Sequence, residues 1–194
     1  MVGDHGSARI VQSGGPVGPA VGRHRAMSDH DHYHDDLLRG ILRDVRVIAM
    51  VGASPDWNRP SYFAMKYLQD KGFRVLPVNP RAAGQTILGE TVYPDLAALP
   101  VKPDMVDIFR NAEAAGPLTD QAIALGARVV WMQLGVRNDA AAARAEAAGL
   151  TVIMNRCPKI EYMRLFGELG WQGINTQVLT SKRRPLTRTT RKLM

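Results

Sequence analysis

The sequence lacks several groups that catalytic sites commonly use. It has a single cysteine, Cys157, so no disulfide can form within the chain, and we expect a reducing, cytoplasmic location. Its histidines all lie between His5 and His34. The chain from residue 35 onward therefore offers no histidine as a general base or as a carrier of a phosphoryl group. No run of about 18 apolar residues occurs, so we predict no membrane-spanning helix.

The remaining metal and thiol candidates are weak. His30, His32 and His34 alternate with aspartates, but short His-rich segments without other ligands seldom bind a metal, so we predict no metal site. Cys157 precedes Pro158 at an expected helix start, a position that lowers the pKa of a thiol. With no histidine base and no second cysteine, we interpret Cys157 as buried or adjacent to a ligand.

The net charge of +7 is concentrated at the two ends of the chain. Residues 1–27 have three basic side chains and one acidic, and residues 182–194 have six basic and none acidic. We therefore predict a disordered extension over 1–27, a single folded domain over 28–175 and a basic disordered tail over 176–194. We expect the tail to be solvated, with no specific nucleic acid as partner and no membrane.

Apolar runs alternate with helical patterns along the domain. Five strands are expected, each followed closely by helical spacing or by a turn: 45–51, 73–78, 105–109, 128–132 and 151–154. This alternation is typical of a parallel sheet covered on both faces. We predict an α/β fold, a Rossmann-like doubly wound five-stranded parallel sheet in the order 3-2-1-4-5.

Such a fold places its ligand where the strand order reverses, at the carboxyl ends of the strands. With that order, the point lies between the first and fourth strands. The loop after the first strand has only Gly52 in place of the G-x-G-x-x-G pattern of dinucleotide sites. It ends with Pro60 and Ser61 at a helix start, where free N–H groups favour a phosphate, and Arg59 adds a positive charge.

The loop after the second strand indicates which nucleotide could bind. NAD sites have an acidic residue here that accepts from the ribose hydroxyls. This sequence has Asn79 instead, and Arg81 follows two residues later. A neutral amide and a cation suit a phosphorylated ribose, which both NADP and coenzyme A carry.

Six motifs in register resemble one known family. They cover 51–61, 75–80, 89–94, 106–110, 130–135 and 155–161. Together they look like the small stand-alone CoA-binding domain proteins, which are related to the N-terminal CoA-binding domain of the succinyl-CoA synthetase α subunit. The similarity covers roughly residues 37–170, whereas the histidine-bearing second domain of the ligase has no counterpart.

The resemblance implies a Rossmann-like fold that binds coenzyme A (CoA) or an acyl-CoA, and it assigns the site in parts. The diphosphate would be surrounded by Gly52, Ala53, Ser54, Arg59, Pro60 and Ser61. The adenosine 3′-phosphate end would lie by Asn79, Pro80 and Arg81. The next part of the cleft would be lined by Phe109 and Arg110, and the pantetheine side would be approached by Gln133, Gly135 and Asn155.

The sequence therefore predicts a CoA-binding or acyl-CoA-binding protein without evident catalytic residues: a sensor, a carrier or an accessory subunit. Two alternatives stay open, an NADP-dependent oxidoreductase and an enzyme acting on CoA thioesters. A Tyr-Lys catalytic pairing is missing, which counts against the oxidoreductase. The partner beyond the small-molecule ligand, whether another protein or a second copy of the chain, is also left open.

Overall fold

The computed structural model describes residues 30–167. In chain order the strands are β1 (Val47–Val51), β2 (Arg74–Val78), β3 (Thr86–Ile87), β4 (Glu90–Thr91), β5 (Met105–Ile108), β6 (Val129–Met132) and β7 (Thr151–Ile153). The helices are α1 (Asp35–Asp44), α2 (Pro60–Asp70), α3 (Ala112–Ala124), α4 (Asp139–Ala147) and α5 (Pro158–Leu165). The predicted extension over 1–27 and the predicted tail over 176–194 lie outside the described residues, as do both ends of the predicted domain.

The five predicted strands are all present, and they form one parallel sheet with helices on both faces. The Rossmann-like α/β fold of a single domain is thereby confirmed. The sequence also explains where the helices begin. Pro60 and Pro158 occupy first-turn positions, where a missing N–H costs nothing. Asn111 and Asn138 cap α3 and α4 by accepting from the backbone N–H of Ala114 and Ala141.

The predicted strand order is wrong in one respect. The sheet runs β2-β1-β5-β6-β7, so the third long strand, β5, pairs directly with β1 and does not lie beyond β2. The outer edge of β2 is already occupied, because Tyr93 N–H donates to Pro77 O and Asn79 N–H donates to Tyr93 O. The antiparallel β3–β4 hairpin, which the sequence analysis missed, lies in this same connection. A covered edge leaves no room for another strand.

The core has one apolar cluster on each face of the sheet. On one face, α1, α2 and α5 pack against side chains that include Ile48, Met50 and Trp131. On the other face, α3 and α4 contribute alanines that pack against Val106 and Ile108. Both faces of each central strand are therefore buried, as a parallel sheet requires. Asp107 in β5 is an exception to this apolar packing, since it is a charged residue whose carboxyl is fully buried.

Candidate functional site

The strand order reverses between β1 and β5, because β2 lies on one side of β1 and β5 on the other. This corrects the prediction that the reversal lies between the first and fourth strands. After β1 and β5 the chain continues to helices on opposite faces of the sheet, and this opens a cleft at its carboxyl edge. Gly52 comes directly after β1, and Phe109 and Arg110 follow β5.

Gly52 allows these two loops to come close together. Its φ is +89°, in the left-handed region, and a Cβ at this position would lie 2.9 Å from the carbonyl oxygen of Phe109. Both strand ends are tied to their neighbours, since Gly52 N–H donates to Val78 O and Phe109 N–H donates to Val51 O. A side chain at Gly52 would therefore push apart the strands that form the cleft.

The loop from β1 to α2 is organised by its own hydroxyl and carboxyl groups. Ser54 N–H donates to Ser61 Oγ at 3.1 Å, and Ser61 is buried in the first turn of α2. Arg59 is exposed at the N-cap, where its Nε lies 3.8 Å from an Asp56 carboxylate oxygen. Ala53, Ser54 and Ser61 thus shape the loop, and Arg59 lies beside the start of the helix.

Asn79 joins this loop to the one that follows β2. Its Nδ2 donates to Ala53 O at 2.7 Å, and its Oδ1 accepts from Arg81 N–H at 3.0 Å. The second bond caps the short 3₁₀ helix Pro80–Ala82. Asn79 therefore holds the backbone, while the exposed Arg81 side chain borders the cleft.

Two pockets lie side by side along the carboxyl edge, and Arg110 lines both. The larger has a volume of about 550 Å³ and the smaller about 420 Å³. The larger is mostly apolar, and its walls include Phe63, Phe109, Val136 and Ile160. Predicted site residues divide between them: Pro60, Phe109, Gln133 and Gly135 line the larger pocket, and Gly52, Asn79, Pro80 and Arg81 line the smaller.

The remaining predicted residues lie behind the pocket walls or beside them. Ala53, Ser54, Arg59, Ser61 and Asn155 line neither pocket. Asn155 instead accepts from Gly135 N–H at 2.8 Å through its Oδ1, which ties the β6 and β7 loops together. Its own φ of +53° suits asparagine better than most residues. Asn155 therefore resembles Asn79 in fixing two neighbouring loops.

Two arginines in the cleft are electrostatically available. Within residues 30–167, the guanidinium groups of Arg81 and Arg110 make no hydrogen bond or ion pair. Arg144 and Arg164, by contrast, each bind a carboxylate. Two unneutralised cations at one strand edge favour an anionic ligand, because guanidinium groups bind phosphates with two parallel hydrogen bonds.

Two groups have unusual pKa values near the larger pocket: Cys157, which lines it, and Asp107, which lies behind Gln133 in its wall. Gln133 Nε2 donates to both carboxyl oxygens of Asp107, at 2.9 and 3.2 Å. Burial raises the pKa of Asp107 to about 7, and the bond from Gln133 opposes this only in part. Burial likewise raises the pKa of the Cys157 thiol to about 11. Cys157 is both buried and a pocket residue, and its thiol is protonated at neutral pH.

Sequence reasoning missed Asp107 as a feature of the site, together with Lys159, Phe63 and Ile160 in the pocket wall. A signal for Asp107 was present, since it is the one charged residue within an otherwise apolar strand. The other three lie on helices, and only the packing of those helices against the sheet edge reveals which side chains reach the pocket.

A third groove, of about 640 Å³, lies at the opposite, amino edge of the sheet. None of the predicted site residues lines it. No group of three or more metal-ligating side chains occurs within residues 30–167. Of the three histidines that alternate with aspartates, His30 contacts Tyr33 and Glu146. Among the helices of that same range, none is both long and apolar enough to cross a bilayer.

The fold and the cleft define a Rossmann-like class of α/β domain with cations at its switch point. Comparison with known proteins is more specific. Residues 46–163 match the family model described as a CoA binding domain. The chain belongs to this family of CoA-binding domains.

Two further proteins are similar to this chain in sequence. The chain is 31% identical to the uncharacterized protein YneT of Bacillus subtilis over 125 residues, which cover 64% of this chain and 91% of YneT. A hypothetical protein from Pyrococcus horikoshii is 39% identical, with a TM-score of 0.67, covering 71% of this chain and 95% of its own.

A more distant structure shares the fold alone. It is a dinucleotide-forming acetyl-coenzyme A synthetase from Candidatus Korarchaeum cryptofilum, solved with phosphate and ADP. The identity is 23% and the TM-score 0.52, covering 63% of this chain and 28% of the synthetase. The domain described here thus has the architecture of one part of a much larger enzyme.

Proposed function

We propose that this protein binds coenzyme A or an acyl-CoA across the two pockets at the carboxyl edge of the sheet. The observation that carries the proposal is the pair of unneutralised guanidinium groups, Arg81 and Arg110, at the switch point of a domain from the CoA-binding family. In this arrangement the adenosine end lies in the smaller pocket and the pantetheine arm in the larger one.

The charges and the apolar surface of the cleft suit the two ends of this ligand. Coenzyme A carries a diphosphate and a 3′-phosphate at one end and an uncharged pantetheine arm at the other. Arg81 lines the smaller pocket and takes the 3′-phosphate. Arg110, which lines both pockets, takes the diphosphate together with Arg59 and the start of α2 beside them. The apolar walls formed by Phe109, Val136 and Ile160 suit the pantetheine arm.

The same site supports binding better than chemistry. The Cys157 thiol is protonated at neutral pH, because burial raises its pKa to about 11. A nucleophilic cysteine needs the opposite shift and a base to hold its proton. The protein therefore acts as a sensor, carrier or accessory subunit for CoA, in a cytoplasmic setting.

The test compares two ligands and two arginine variants by isothermal titration calorimetry. We expect CoA to bind with a micromolar Kd and dephospho-CoA, which lacks the 3′-phosphate, to bind about tenfold more weakly. Replacing Arg81 with Ala removes the charge that recognises this phosphate. The R81A variant should bind CoA about tenfold more weakly, a loss of about 1.4 kcal/mol, and leave dephospho-CoA within twofold of the wild type.

Arg74 provides the matched control, since it is an exposed arginine at the other end of β2, on the amino edge of the sheet. The R74A variant should bind both ligands as the wild type does. Equal affinity of the wild type for CoA and dephospho-CoA would remove Arg81 from the proposed role. Binding of NADPH but not CoA would replace the proposal with the nicotinamide alternative.

A further inference from the structure

Behind the wall of the larger pocket lies a buried acid that the proposed function does not use. Asp107 lies in the middle of β5, and its carboxyl is inaccessible to solvent and to any ligand in the pocket. Its described hydrogen-bond partner is Gln133, at the end of the neighbouring strand β6. Gln133 does line the pocket. Asp107 can therefore act on a ligand only through Gln133.

The geometry fixes which atom of Gln133 faces Asp107. A carboxylate only accepts hydrogen bonds, so the side chain that faces Asp107 must present its Nε2 group. Gln133 does so at 2.9 and 3.2 Å from the two carboxyl oxygens. Among residues 30–167 no buried side-chain nitrogen or oxygen lacks a partner. The Oε1 atom of Gln133, which has no described partner, is therefore not sealed in the core and reaches the pocket.

We infer that Asp107 is a positioning residue: its carboxylate holds the Gln133 amide so that Oε1 accepts a hydrogen bond from the pantetheine arm of the bound ligand. This inference rests on the proposed function and adds a polar contact at the apolar end of the cleft. The donor is an amide N–H or the terminal thiol of the arm, since both are hydrogen-bond donors within pantetheine.

The same arrangement makes the contact depend on the charge of Asp107. A protonated carboxyl can donate to Oε1, which allows the Gln133 amide to turn and present its N–H groups to the ligand instead. Because the pKa of Asp107 is about 7, both forms occur near neutral pH. Above pH 7 the pocket therefore presents Gln133 Oε1 as a hydrogen-bond acceptor, and below pH 7 the amide is no longer held in that orientation.

Other charged groups around the pair are few. Cys157 and Lys159, at the start of α5, and Arg110, after β5, line the same pocket. Cys157 stays protonated across the relevant pH range. The register neighbours of Asp107 on β1 and β6 are Met50 and Trp131, which do not titrate there. From α2 the pocket receives Pro60, Phe63 and Ala64, which do not titrate either.

The experiment measures ligand affinity for the wild type and for D107N at two pH values. The asparagine side chain has the same shape as that of aspartate but offers an N–H donor as well as an acceptor, so it can pair with either end of the Gln133 amide and does not fix one orientation. We expect D107N to bind CoA five- to tenfold more weakly than the wild type at pH 8.5 and within twofold at pH 5.5. Adenosine 3′,5′-bisphosphate, which lacks the pantetheine arm, should bind both proteins equally at both pH values. Ligand ionisation cancels because the proteins are compared at the same pH.

Further variants separate positioning from a general loss of structure. Q133M removes the amide and should weaken CoA binding at both pH values. The double variant D107N/Q133M should bind CoA as weakly as Q133M alone, because the two residues act as a unit. T119V removes another buried hydrogen bond, from Thr119 to Ala115 O in α3, and should leave CoA affinity unchanged. Acetyl-CoA, whose thiol is acylated, identifies the donor. If D107N loses as much affinity for acetyl-CoA as for CoA, the donor is an amide N–H; if it loses none for acetyl-CoA, the donor is the thiol.

Two results would overturn the inference while leaving the proposed function intact. One is an equal loss of affinity for CoA and for adenosine 3′,5′-bisphosphate in D107N, which would indicate a general structural effect. The other is a CoA affinity ratio between wild type and D107N that does not change with pH. Failure of the wild type to bind either ligand would instead contradict the proposed function, and the role of the pair would fall with it.

Discussion

At the scale of single residues, the site depends on side chains that hold backbone as much as on those that face a ligand. Asn79 and Asn155 each join two loops, and Gly52 lets the ends of β1 and β5 come together. Asn79 and Gly52 act on the loops that carry Arg81 and Arg110, and Asn155 fixes the loop that carries Gly135. Substitutions behind the pockets should therefore affect binding.

Gly52 gives a direct test at this scale, with Gly72 as its matched control. Both have φ near +90°, but a Cβ at Gly52 would lie 2.9 Å from Phe109 O, whereas nothing lies within 4 Å of one at Gly72. G72A should lose only the conformational cost of about 1 kcal/mol. G52A should lose about 1–3 kcal/mol more of its unfolding free energy, because backbone must shift, and it should also bind CoA more weakly.

Urea unfolding followed by circular dichroism measures the two free energies of unfolding. Equal losses in G52A and G72A would mean that the close approach of the two strand ends is not a constraint on the fold.

Single residues also show where sequence reasoning succeeds. Glycine after the first strand, the Pro60 helix start and Arg81 after the second strand are local signals, and each lines one of the two carboxyl-edge pockets. Their role in binding stays a prediction. Asp107 and Lys159 were missed for a different reason. Asp107 stands out as a charged residue in an apolar strand, but that both residues lie near the pocket depends on strands and helices that are distant in sequence, which local spacing does not reveal.

At the scale of secondary structure elements, the amino edge of the sheet is held by one carboxylate. Asp104, just before β5, accepts from the backbone N–H groups of Arg46 and Val47 at the start of β1. It also binds the Arg128 guanidinium, just before β6, at 3.0 Å. Three strand starts are thus aligned at the edge opposite the proposed site.

The pKa of Asp104 gives this contact a testable pH dependence. Partial burial by itself would raise the pKa, but the two backbone hydrogen bonds and the Arg128 charge outweigh it, and the net pKa is lowered. A lowered pKa means that the stabilisation is present above the unfolded value, near pH 4, and is lost as pH falls through the folded value. D104N should therefore lose about 1–2 kcal/mol of unfolding free energy at pH 7.

The difference between D104N and the wild type should shrink as the pH falls below 4, since protonation then removes the same charge from the wild type. Chemical denaturation at several pH values measures this. D70N is the control, because Asp70 is an exposed partner of Lys66 at the end of α2. The unfolding free energy of D70N should stay within about 0.5 kcal/mol of the wild-type value. A D104N deficit that persists unchanged to pH 3 would contradict the account.

Elements also show why the strand order was mispredicted. The alternation of apolar runs and helical spacing correctly predicted five parallel strands and the helices around them. The order depends on which edge of β2 is free, and that edge is covered by a short segment around Tyr93 and by the β3–β4 hairpin. Strands of two residues leave no periodic pattern in the sequence, so their effect on topology could not be anticipated.

At the scale of the whole molecule, the two edges of the sheet in the described domain differ in how their charged side chains are paired. The amino edge is stabilised by Asp104, whereas the carboxyl edge carries the unneutralised Arg81 and Arg110. The basic excess of the full sequence lies in the terminal segments and not in the residues between them. Attraction of an anionic ligand to the domain therefore depends on where its arginines lie rather than on overall charge.

The most direct test of the central claim is a chemical-shift map of the protein titrated with CoA. Amide signals of Gly52, Arg81, Arg110 and Gly135, which line the two carboxyl-edge pockets, should shift together and saturate at one concentration. Signals of Gly40 and Gly149, in the amino-edge groove, should not move. Shifts confined to the amino edge, or no shifts at millimolar CoA, would contradict the assignment of this cleft as a CoA-binding site.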